Sequence, residues 1–160
     1  GSLRLFIQHQ GGTFGVMDSV LDDQRTSEAD LSLADFGERV RARIADLRRH
    51  LETIKERGET IHVYGASTRG CTILQSAGID SDHIRMASDR DPRKWGKIIP
   101  GTSIPIVSEE ESRNERPDYY LALPYSYLRQ FQAREQAFLA RGGRFIVPLP
   151  KAKVIGAGPG

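Results

Sequence analysis

The sequence predicts an α/β fold in which a parallel sheet of about five strands carries helices on both faces. From residue 60 onward, short apolar runs alternate with helical segments, and this order is typical of parallel sheets with helical crossovers. The runs are apolar at successive positions rather than at every second one, which is expected of strands that are buried on both faces. A long helix and a short N-terminal strand are predicted to precede this alternating region.

Five runs are rich in β-branched or aromatic residues and end near turn residues, so they are predicted to be the strands of that sheet. They lie at 60–64, 84–88, 104–107, 119–123 and 144–147. Helices are predicted at 71–77 and 125–141, and each is followed by a glycine that suits the position after a helix.

The long helix is predicted between Ser32, which can cap its start, and Gly58, which can end it. Apolar residues recur along it at every third or fourth position: Phe36, Val40, Ile44, Leu47, Leu51 and Ile54. That spacing places one apolar stripe on a helix. Arginines on the opposite face alternate with acidic residues, which favours a solvated surface over a basic binding patch.

The composition excludes several classes of function. The 160 residues include 23 Lys+Arg and 21 Asp+Glu, and a net charge of +2 gives no strong field for nucleic acid or an anionic membrane. No apolar run approaches the roughly 20 residues that span a bilayer. Cys71 is the only cysteine, which excludes an internal disulfide and a zinc site of several thiolates, and fits a reducing, cytoplasmic location.

The turn at residues 65–70 is the strongest candidate for ligand contact, because it follows a predicted strand and opens a predicted helix. Gly65 and Gly70 match the first and last glycines of the dinucleotide-binding fingerprint. Ser67 replaces the middle glycine and crowds the path of a pyrophosphate, so ordinary dinucleotide binding is disfavoured. Hydroxyl and amide contacts remain available, and a tight turn without a ligand is the alternative.

Other polar residues are predicted at the same edge of the sheet, after the strands end. Asp89 ends the second strand, where an acid commonly accepts hydrogen bonds from ribose, although an acid that merely turns the chain is an equal alternative. A basic loop follows in which Lys94 or Lys97 can meet a phosphate, with a solvated lysine as the alternative for each. Tyr125 follows the fourth strand and offers a flat face for a base or a sugar.

No catalytic or metal-binding residue is predicted from the sequence. The four histidines show no metal-ligand spacing, and a nucleophile elbow, a Walker loop and a paired-carboxylate motif are absent. His62 lies inside a predicted strand and is expected to be a satisfied core or edge residue. The candidate substrate-binding residues are Gly65, Ala66, Ser67, Thr68, Arg69, Asp89, Lys94 and Tyr125.

Several motifs together resemble the C-terminal domain of S-adenosylmethionine-dependent sugar C-methyltransferases, over nearly the whole chain to Pro150. They are Tyr64-Gly65-Ala66-Ser67-Thr68-Arg69-Gly70, Asp89-Arg90-Asp91-Pro92, Pro100-Gly101-Thr102, Pro117-Asp118-Tyr119-Tyr120 and Gly142-Gly143 with Phe145-Ile146-Pro148. Their order and spacing agree with the family, whereas Tyr125 stands where the family usually has tryptophan. Members of this family act on nucleotide-linked deoxysugars.

The resemblance implies a parent enzyme of three modules: a zinc-binding piece, a methyl-donor-binding domain and a Rossmann-like C-terminal domain. The S-adenosylmethionine site, the zinc ligands and the general base are then expected outside these residues, so the fragment holds no cofactor. The expected partners are a nucleotide-sugar, the preceding methyltransferase domain and, through the N-terminal strand, a second copy of the chain. Neither nucleic acid nor a membrane is expected as a partner.

The predicted domain organisation follows from the same reasoning. Residues 1–12 are expected to be a strand that ends the preceding domain, and residues 13–32 a linker. Residues 33–150 are expected to form the Rossmann-like domain, and residues 151–160 a flexible tail. Two other functions remain open: a stand-alone nucleotide-binding or regulatory module, and a dehydrogenase-like domain, which Ser67 weakens.

Overall fold

The structure is a computed structural model that describes His9, Gly11, Gly12 and residues 33–156. The chain divides into two units, residues 1–39 and residues 40–160. In the first unit, the N–H of Gly12 donates to the carbonyl of His9, and a helix begins at Leu33. The predicted N-terminal strand as far as Gln8, the linker at 13–32 and the Ser32 cap lie outside the described residues.

The described residues form five helices, six strands and two short 3₁₀ turns. The helices are α1 (Leu33–Glu56), α2 (Thr68–Ser76), α3 (Glu109–Asn114), α4 (Leu128–Arg134) and α5 (Gln136–Ala140). The strands are β1 (Ile61–Tyr64), β2 (Met86–Ser88), β3 (Ile106–Val107), β4 (Tyr119–Ala122), β5 (Arg144–Val147) and β6 (Lys153–Ile155). The 3₁₀ turns cover Pro92–Lys94 and Tyr125–Tyr127.

The six strands form one sheet in the order β3-β2-β1-β4-β5-β6. The strands β1 to β5 are parallel, and β6 runs antiparallel to β5. Tyr64 at the end of β1 lies beside Ser88 of β2 and Ala122 of β4. The predicted Rossmann-like class is confirmed, and the strand order reverses between β1 and β4, whose carboxyl ends form the topological switch point.

Helices cover both faces of the sheet, as the continuous apolar runs predicted. On one face, α1 and α2 enclose a core of aliphatic side chains that includes Leu47, Leu51, Val63, Leu74, Leu121 and Ile146. On the other face, α4 and α5 enclose a mainly aromatic core of Tyr64, Tyr120, Phe131, Phe138 and Phe145. Alternate residues of β1 and β4 serve the two cores, because successive strand side chains point to opposite faces.

The predicted apolar stripe of α1 is buried only in the second half of the helix, since Phe36 and Val40 near its start are 50% and 38% exposed. Leu47, Leu51 and Ile54 are buried in the aliphatic core. The interleaved acids pair with arginines along the helix, as in the Arg48–Glu52 and Arg49–Asp46 ion pairs.

Three local features differ from the sequence-based expectation. The predicted helix at 125–141 begins as a 3₁₀ turn and is interrupted at Glu135, whose backbone angles are φ −103° and ψ 35°. Helix α3 was not predicted, because it carries no apolar periodicity and buries only Ser112. Residues 153–155 form β6 where a flexible tail was expected, since the β-branched pair Val154-Ile155 adds to the edge of β5.

No helix among the described residues is both long and apolar enough to cross a membrane.

Candidate functional site

A cavity of about 240 Å³ lies at the switch point, between the turn that follows β1 and the turn that follows β4. We call it the switch-point cavity, and its lining residues are Ser67, Arg69, Leu123, Pro124, Tyr125, Ser126 and Tyr127. Three of the predicted site residues, Ser67, Arg69 and Tyr125, therefore lie together. In open α/β sheets ligands bind at this edge and at this reversal of strand order.

The turn at 65–70 is held by a helix cap. The Oγ of Ser67 accepts a hydrogen bond from the N–H of Gly70 at 3.1 Å and so caps α2. The same hydroxyl keeps its own proton to donate outward. The backbone N–H groups of Thr68 and Arg69 donate to no described residue, so the first turn of α2 presents free donors toward the site.

The two glycines of this turn are explained by packing between the turns. Gly65 has φ +87°, and a Cβ added there would lie 2.6 Å from Cγ of Pro124. A Cβ added to Gly70 would lie 2.5 Å from a methyl carbon of Leu123. Their match to a dinucleotide fingerprint thus arises from the close approach of the β1 and β4 turns, which shapes the cavity floor.

Arg69 contributes a positive charge to the switch-point cavity that no described residue neutralises. Its side chain is exposed and forms no hydrogen bond or ion pair with any described residue. The neighbouring Thr68 is also exposed. A guanidinium without a partner, next to two hydroxyls and two free backbone N–H groups, can bind a phosphate or a carboxylate by two parallel hydrogen bonds.

Asp89 and Lys94, two further predicted residues, are paired with each other. The Nζ of Lys94 donates to Oδ2 of Asp89 at 2.8 Å and to the carbonyl of Ala66 at 3.0 Å. The other carboxylate oxygen of Asp89 accepts from the N–H of Asp91 at 2.9 Å. These contacts tie the loop after β2 to the turn after β1, so the Asp89 carboxylate is already used within the chain.

A second cavity of about 450 Å³ lies on the Lys94 side of the same turn, and we call it the Lys94 cavity. It is lined by Ala66, Thr68, Cys71, Thr72, Gln75, Lys94, Ile99, Pro100 and Ile106. The turn at 65–70 therefore stands between two cavities, with Arg69 facing one and Thr68 facing the other. Six of the eight predicted residues divide between these two cavities, whereas Gly65 and Asp89 line neither of them.

Four lining residues of the switch-point cavity were not among the predicted site residues, and two of them, Ser126 and Tyr127, carry hydroxyls. They belong to the 3₁₀ turn after β4, and the Tyr127 side chain is 54% exposed. The run Pro-Tyr-Ser-Tyr at 124–127 carries hydroxyls and rings directly after a strand beside the switch point. That position is the signal that could have identified both residues.

Behind the end of β1, a buried acid connects several polar groups. Glu135 is 2% exposed, accepts from the hydroxyl of Tyr64 at 2.8 Å and pairs with the guanidinium of Arg113. Burial, together with hydrogen bonding to Glu135, raises the pKa of Tyr64, although the hydrogen bond from Arg134 opposes the rise. The hydrogen bonds to Glu135 also raise the pKa of Arg113. This network holds the side chain of Tyr64, which directly precedes Gly65, in place. Sequence reasoning did not identify the network.

His62 is buried in the middle of β1. Its Nδ1 lies 2.9 Å from Oγ of Ser112, while its Nε2 is buried without a hydrogen-bond partner among the described residues. Burial, with the charge of Arg85 as a smaller cause, lowers the pKa of His62 to about 4. The ring is therefore neutral near pH 7, and it is a core residue that is satisfied at one nitrogen only.

The described residues contain no group of three or more His, Cys, Asp or Glu side chains arranged to hold a metal ion.

The strand order and the cavity at the switch point define a Rossmann-like α/β domain. Residues 1–150 match the family model of the C-methyltransferase C-terminal domain, and the chain belongs to this family. The C-methyltransferase NovU of Streptomyces niveus is 44% identical to it over 124 residues. That match covers 78% of this chain and 29% of NovU, so the chain spans less than a third of that relative's length.

Proposed function

We propose that this chain is the C-terminal, substrate-binding domain of an S-adenosylmethionine-dependent C-methyltransferase that acts on a nucleotide-linked deoxysugar. The observation that carries the proposal is the unpaired Arg69 in the switch-point cavity of a chain of this family. The domain holds the substrate and does not catalyse alone. In the parent enzyme, S-adenosylmethionine supplies the methyl group that is transferred to a sugar carbon.

The residues of this chain do not fit S-adenosylmethionine or zinc. Asp89, which stands where an acid would accept from a ribose, is engaged by Lys94 and by the N–H of Asp91. A structural zinc site needs several thiolate or imidazole ligands close together; the chain has one cysteine, and the described residues hold no group of three or more His, Cys, Asp or Glu side chains that could bind a metal. We therefore assign the donor site, the zinc ligands and the general base to other parts of the parent.

The chemistry of the switch-point cavity suits the phosphate of a nucleotide-sugar. Arg69 can bind phosphate oxygens with its guanidinium fork, and the free N–H groups at the start of α2 favour the same anion. Ser67 supplies a hydroxyl in this cavity, Thr68 supplies one on the side of the Lys94 cavity, and Tyr125 supplies a flat face for the base or the sugar.

The size of the cavity indicates that it holds only part of this ligand. Its volume of about 240 Å³ is below the roughly 300–1,000 Å³ of ordinary small-molecule sites. The exposed rings of Trp95 and Tyr127 lie in loops at the same edge and are 44% and 54% exposed. We propose that the preceding methyltransferase domain packs against this edge and completes the site.

Lys94 and Asp89 keep a secondary role in this proposal. An ammonium group has three N–H donors, and Lys94 uses two of them within the chain while its side chain remains 39% exposed. The third donor can reach a ligand that extends into the Lys94 cavity. Asp89 then orients Lys94, and Gly65 and Ala66 contribute backbone groups of the turn.

The proposal also includes a cellular location and association with a second copy. The partly buried free thiol of Cys71 fits a reducing compartment, so we place the enzyme in the cytoplasm. Association with a second copy depends on the N-terminal strand, which lies outside the described residues.

The experiment is a titration of the 160-residue chain followed by amide NMR shifts. A nucleoside-diphosphate deoxysugar is expected to shift amides at 65–70 and 123–127, and S-adenosylmethionine is expected to shift none. Methyl transfer by this chain alone is expected to be absent. Micromolar binding of S-adenosylmethionine, or a nucleotide-sugar that leaves both turns unshifted at millimolar concentration, would contradict the proposal.

A further inference from the structure

A groove of about 420 Å³ lies at the opposite edge of the sheet, where β4 and β5 begin. Tyr119 and Arg144, the first residues of these strands, form one wall. The other wall is formed by Arg49 and Ile54 in the last turns of α1 and by Arg57, which directly follows the helix. We call this the amino-edge groove, and neither the proposed substrate site nor the family assignment accounts for it.

The amino-edge groove is strongly basic in a chain whose charges otherwise nearly balance. Three arginines line it and no acidic residue does, whereas the net charge of the whole chain is +2. Arg49 is paired with Asp46, which removes most of its charge from the groove. Arg57 and Arg144 form no ion pair with any described residue, so two positive charges remain available.

The Arg144 guanidinium is already oriented by its neighbour. Its Nη1 donates to the hydroxyl of Tyr119 at 3.0 Å, and its Cζ lies 5.8 Å from the centre of the Tyr119 ring. A guanidinium has five N–H donors, and this contact uses one of them. The remaining fork is held in place for an anion, which reduces the entropy lost on binding.

The other surfaces of the groove are apolar. Ile54, Val154 and the Tyr119 ring line it together with the arginines. Its volume falls within the roughly 300–1,000 Å³ range of small-molecule sites, which combine apolar walls with a few placed polar groups. An anion alone would leave these walls uncovered, so the ligand should carry a compact organic part as well.

We propose that the amino-edge groove binds a small phosphate-bearing molecule of about mononucleotide size. Arg57 and Arg144 bind the phosphate, and the organic part lies against Ile54, Val154 and Tyr119. The four residues of β4, roughly 13 Å of extended chain, separate this groove from the switch-point cavity. The two ligands therefore do not touch, and this proposal does not depend on the proposed function.

The test is a titration of the 160-residue chain with adenosine 5′-monophosphate and with inorganic phosphate, followed by amide NMR shifts. The nucleotide is expected to shift amides at 49–57, 119, 144 and 153–155. Inorganic phosphate is expected to shift the same amides at higher concentration. Arg57→Gln is expected to weaken nucleotide binding about tenfold or more, because it removes a charge-assisted contact.

Arg57→Gln suits the test, because the exposed Arg57 side chain forms no hydrogen bond or ion pair with a described residue. Arg43→Gln, an exposed arginine of α1 outside the groove, is the matched control and should bind like the parent. Arg69→Ala should also leave this binding unchanged. Arg144→Gln, checked for an unchanged melting temperature, should weaken binding as Arg57→Gln does.

Three results would overturn the proposal. One is the absence of saturable shifts up to about 10 mM nucleotide, which corresponds to negligible affinity. Another is a set of shifts confined to 65–70 and 123–127 that disappears in Arg69→Ala, which would place the nucleotide at the switch point. The last is equal binding of a glutamate-rich peptide, which would indicate an acidic polypeptide as the partner.

Discussion

Arg113 and Arg69 are two arginines near the carboxyl end of β1 that meet opposite surroundings. Arg113 pairs with Glu135, which is 2% exposed, and with Glu109, so its charge is used within the fold. Arg69 lies at the rim of the switch-point cavity and pairs with no described residue. An arginine that is paired with acids inside the fold holds the sheet end in place, whereas an unpaired arginine at the edge of the sheet is available to a ligand.

The largest effect on stability is expected from Glu135→Gln, which leaves Arg113 and the Tyr64 hydroxyl without their shared anion. Breaking a buried pair costs about 3–5 kcal/mol, and the 40% exposure of the Arg113 side chain places this pair at the lower end. Urea unfolding measures the loss. Glu110→Gln, an exposed acid of α3 without a described ion pair, is the control. Equal stability of the two variants would show that the network does not hold the fold.

The next effect is a dependence of stability on pH that comes from His62. Its folded-state pKa of about 4 lies below the ordinary 6.5, so the fold favours the neutral ring. The contribution is fully present above pH 6.5 and is lost as the pH falls toward 4, by about 3 kcal/mol in total. Unfolding measured across this window should show the slope, and His62→Gln should remove it. A slope that survives the substitution would assign it to other groups.

A smaller loss is expected from Gly65→Ala, where a left-handed backbone and a Cβ contact of 2.6 Å with Pro124 act together. Crowding of this kind costs about 1–3 kcal/mol beyond the backbone strain. Gly96→Ala is the matched control, because Gly96 has φ +75° and open space around its Cβ position. The difference between the two unfolding free energies measures the packing of the two turns. If the two variants lose equal stability, the turns do not pack as described.

Lys94→Met is expected to affect both stability and ligand binding moderately. Lys94 is paired within the chain, as Arg113 is, and it also lines a cavity, as Arg69 does. It removes the hydrogen bonds to Asp89 and Ala66 but keeps the aliphatic stem, so the stability loss is at most about 1 kcal/mol. Nucleotide-sugar binding by the parent enzyme should weaken less than it does in Arg69→Ala. Unfolding and calorimetry on the same variant give both values. A larger loss of binding than in Arg69→Ala would make Lys94 the principal anion contact.

The fold was predictable from the sequence because the signals that define it are local. Strands such as 61–64 and 119–122 are buried at every position and, apart from His62, carry apolar or aromatic side chains, and the alternation with helices indicates a parallel sheet. The interruption at Glu135 was not predictable, since it depends on Arg113 and Tyr64 from distant parts of the chain. Strand β6 was missed because its three residues lie in a tail that contains several glycines, and this composition favoured a flexible segment over a strand.

The candidate site was predictable only in part. The turn at 65–70 was identified correctly as a strand-to-helix turn, because its position between β1 and α2 follows from sequence order. Its glycines match two positions of the dinucleotide fingerprint in the sequence, whereas their close approach to Leu123 and Pro124 becomes visible only when β1 and β4 are neighbours. The pairing of Asp89 with Lys94 also depends on side-chain positions that spacing along the chain does not determine.

The measurement that tests the central claim most directly is a calorimetric titration of the parent enzyme and its Arg69→Ala variant with the nucleotide-sugar and with S-adenosylmethionine. The nucleotide-sugar dissociation constant is expected to rise about tenfold or more, since a charge-assisted contact is worth about 1.5–3 kcal/mol. The affinity for S-adenosylmethionine and the stability should stay unchanged, as should both affinities in Arg129→Ala, an exposed arginine of α4 outside the cavity. Unchanged nucleotide-sugar binding in Arg69→Ala would contradict the account and remove this turn from the site.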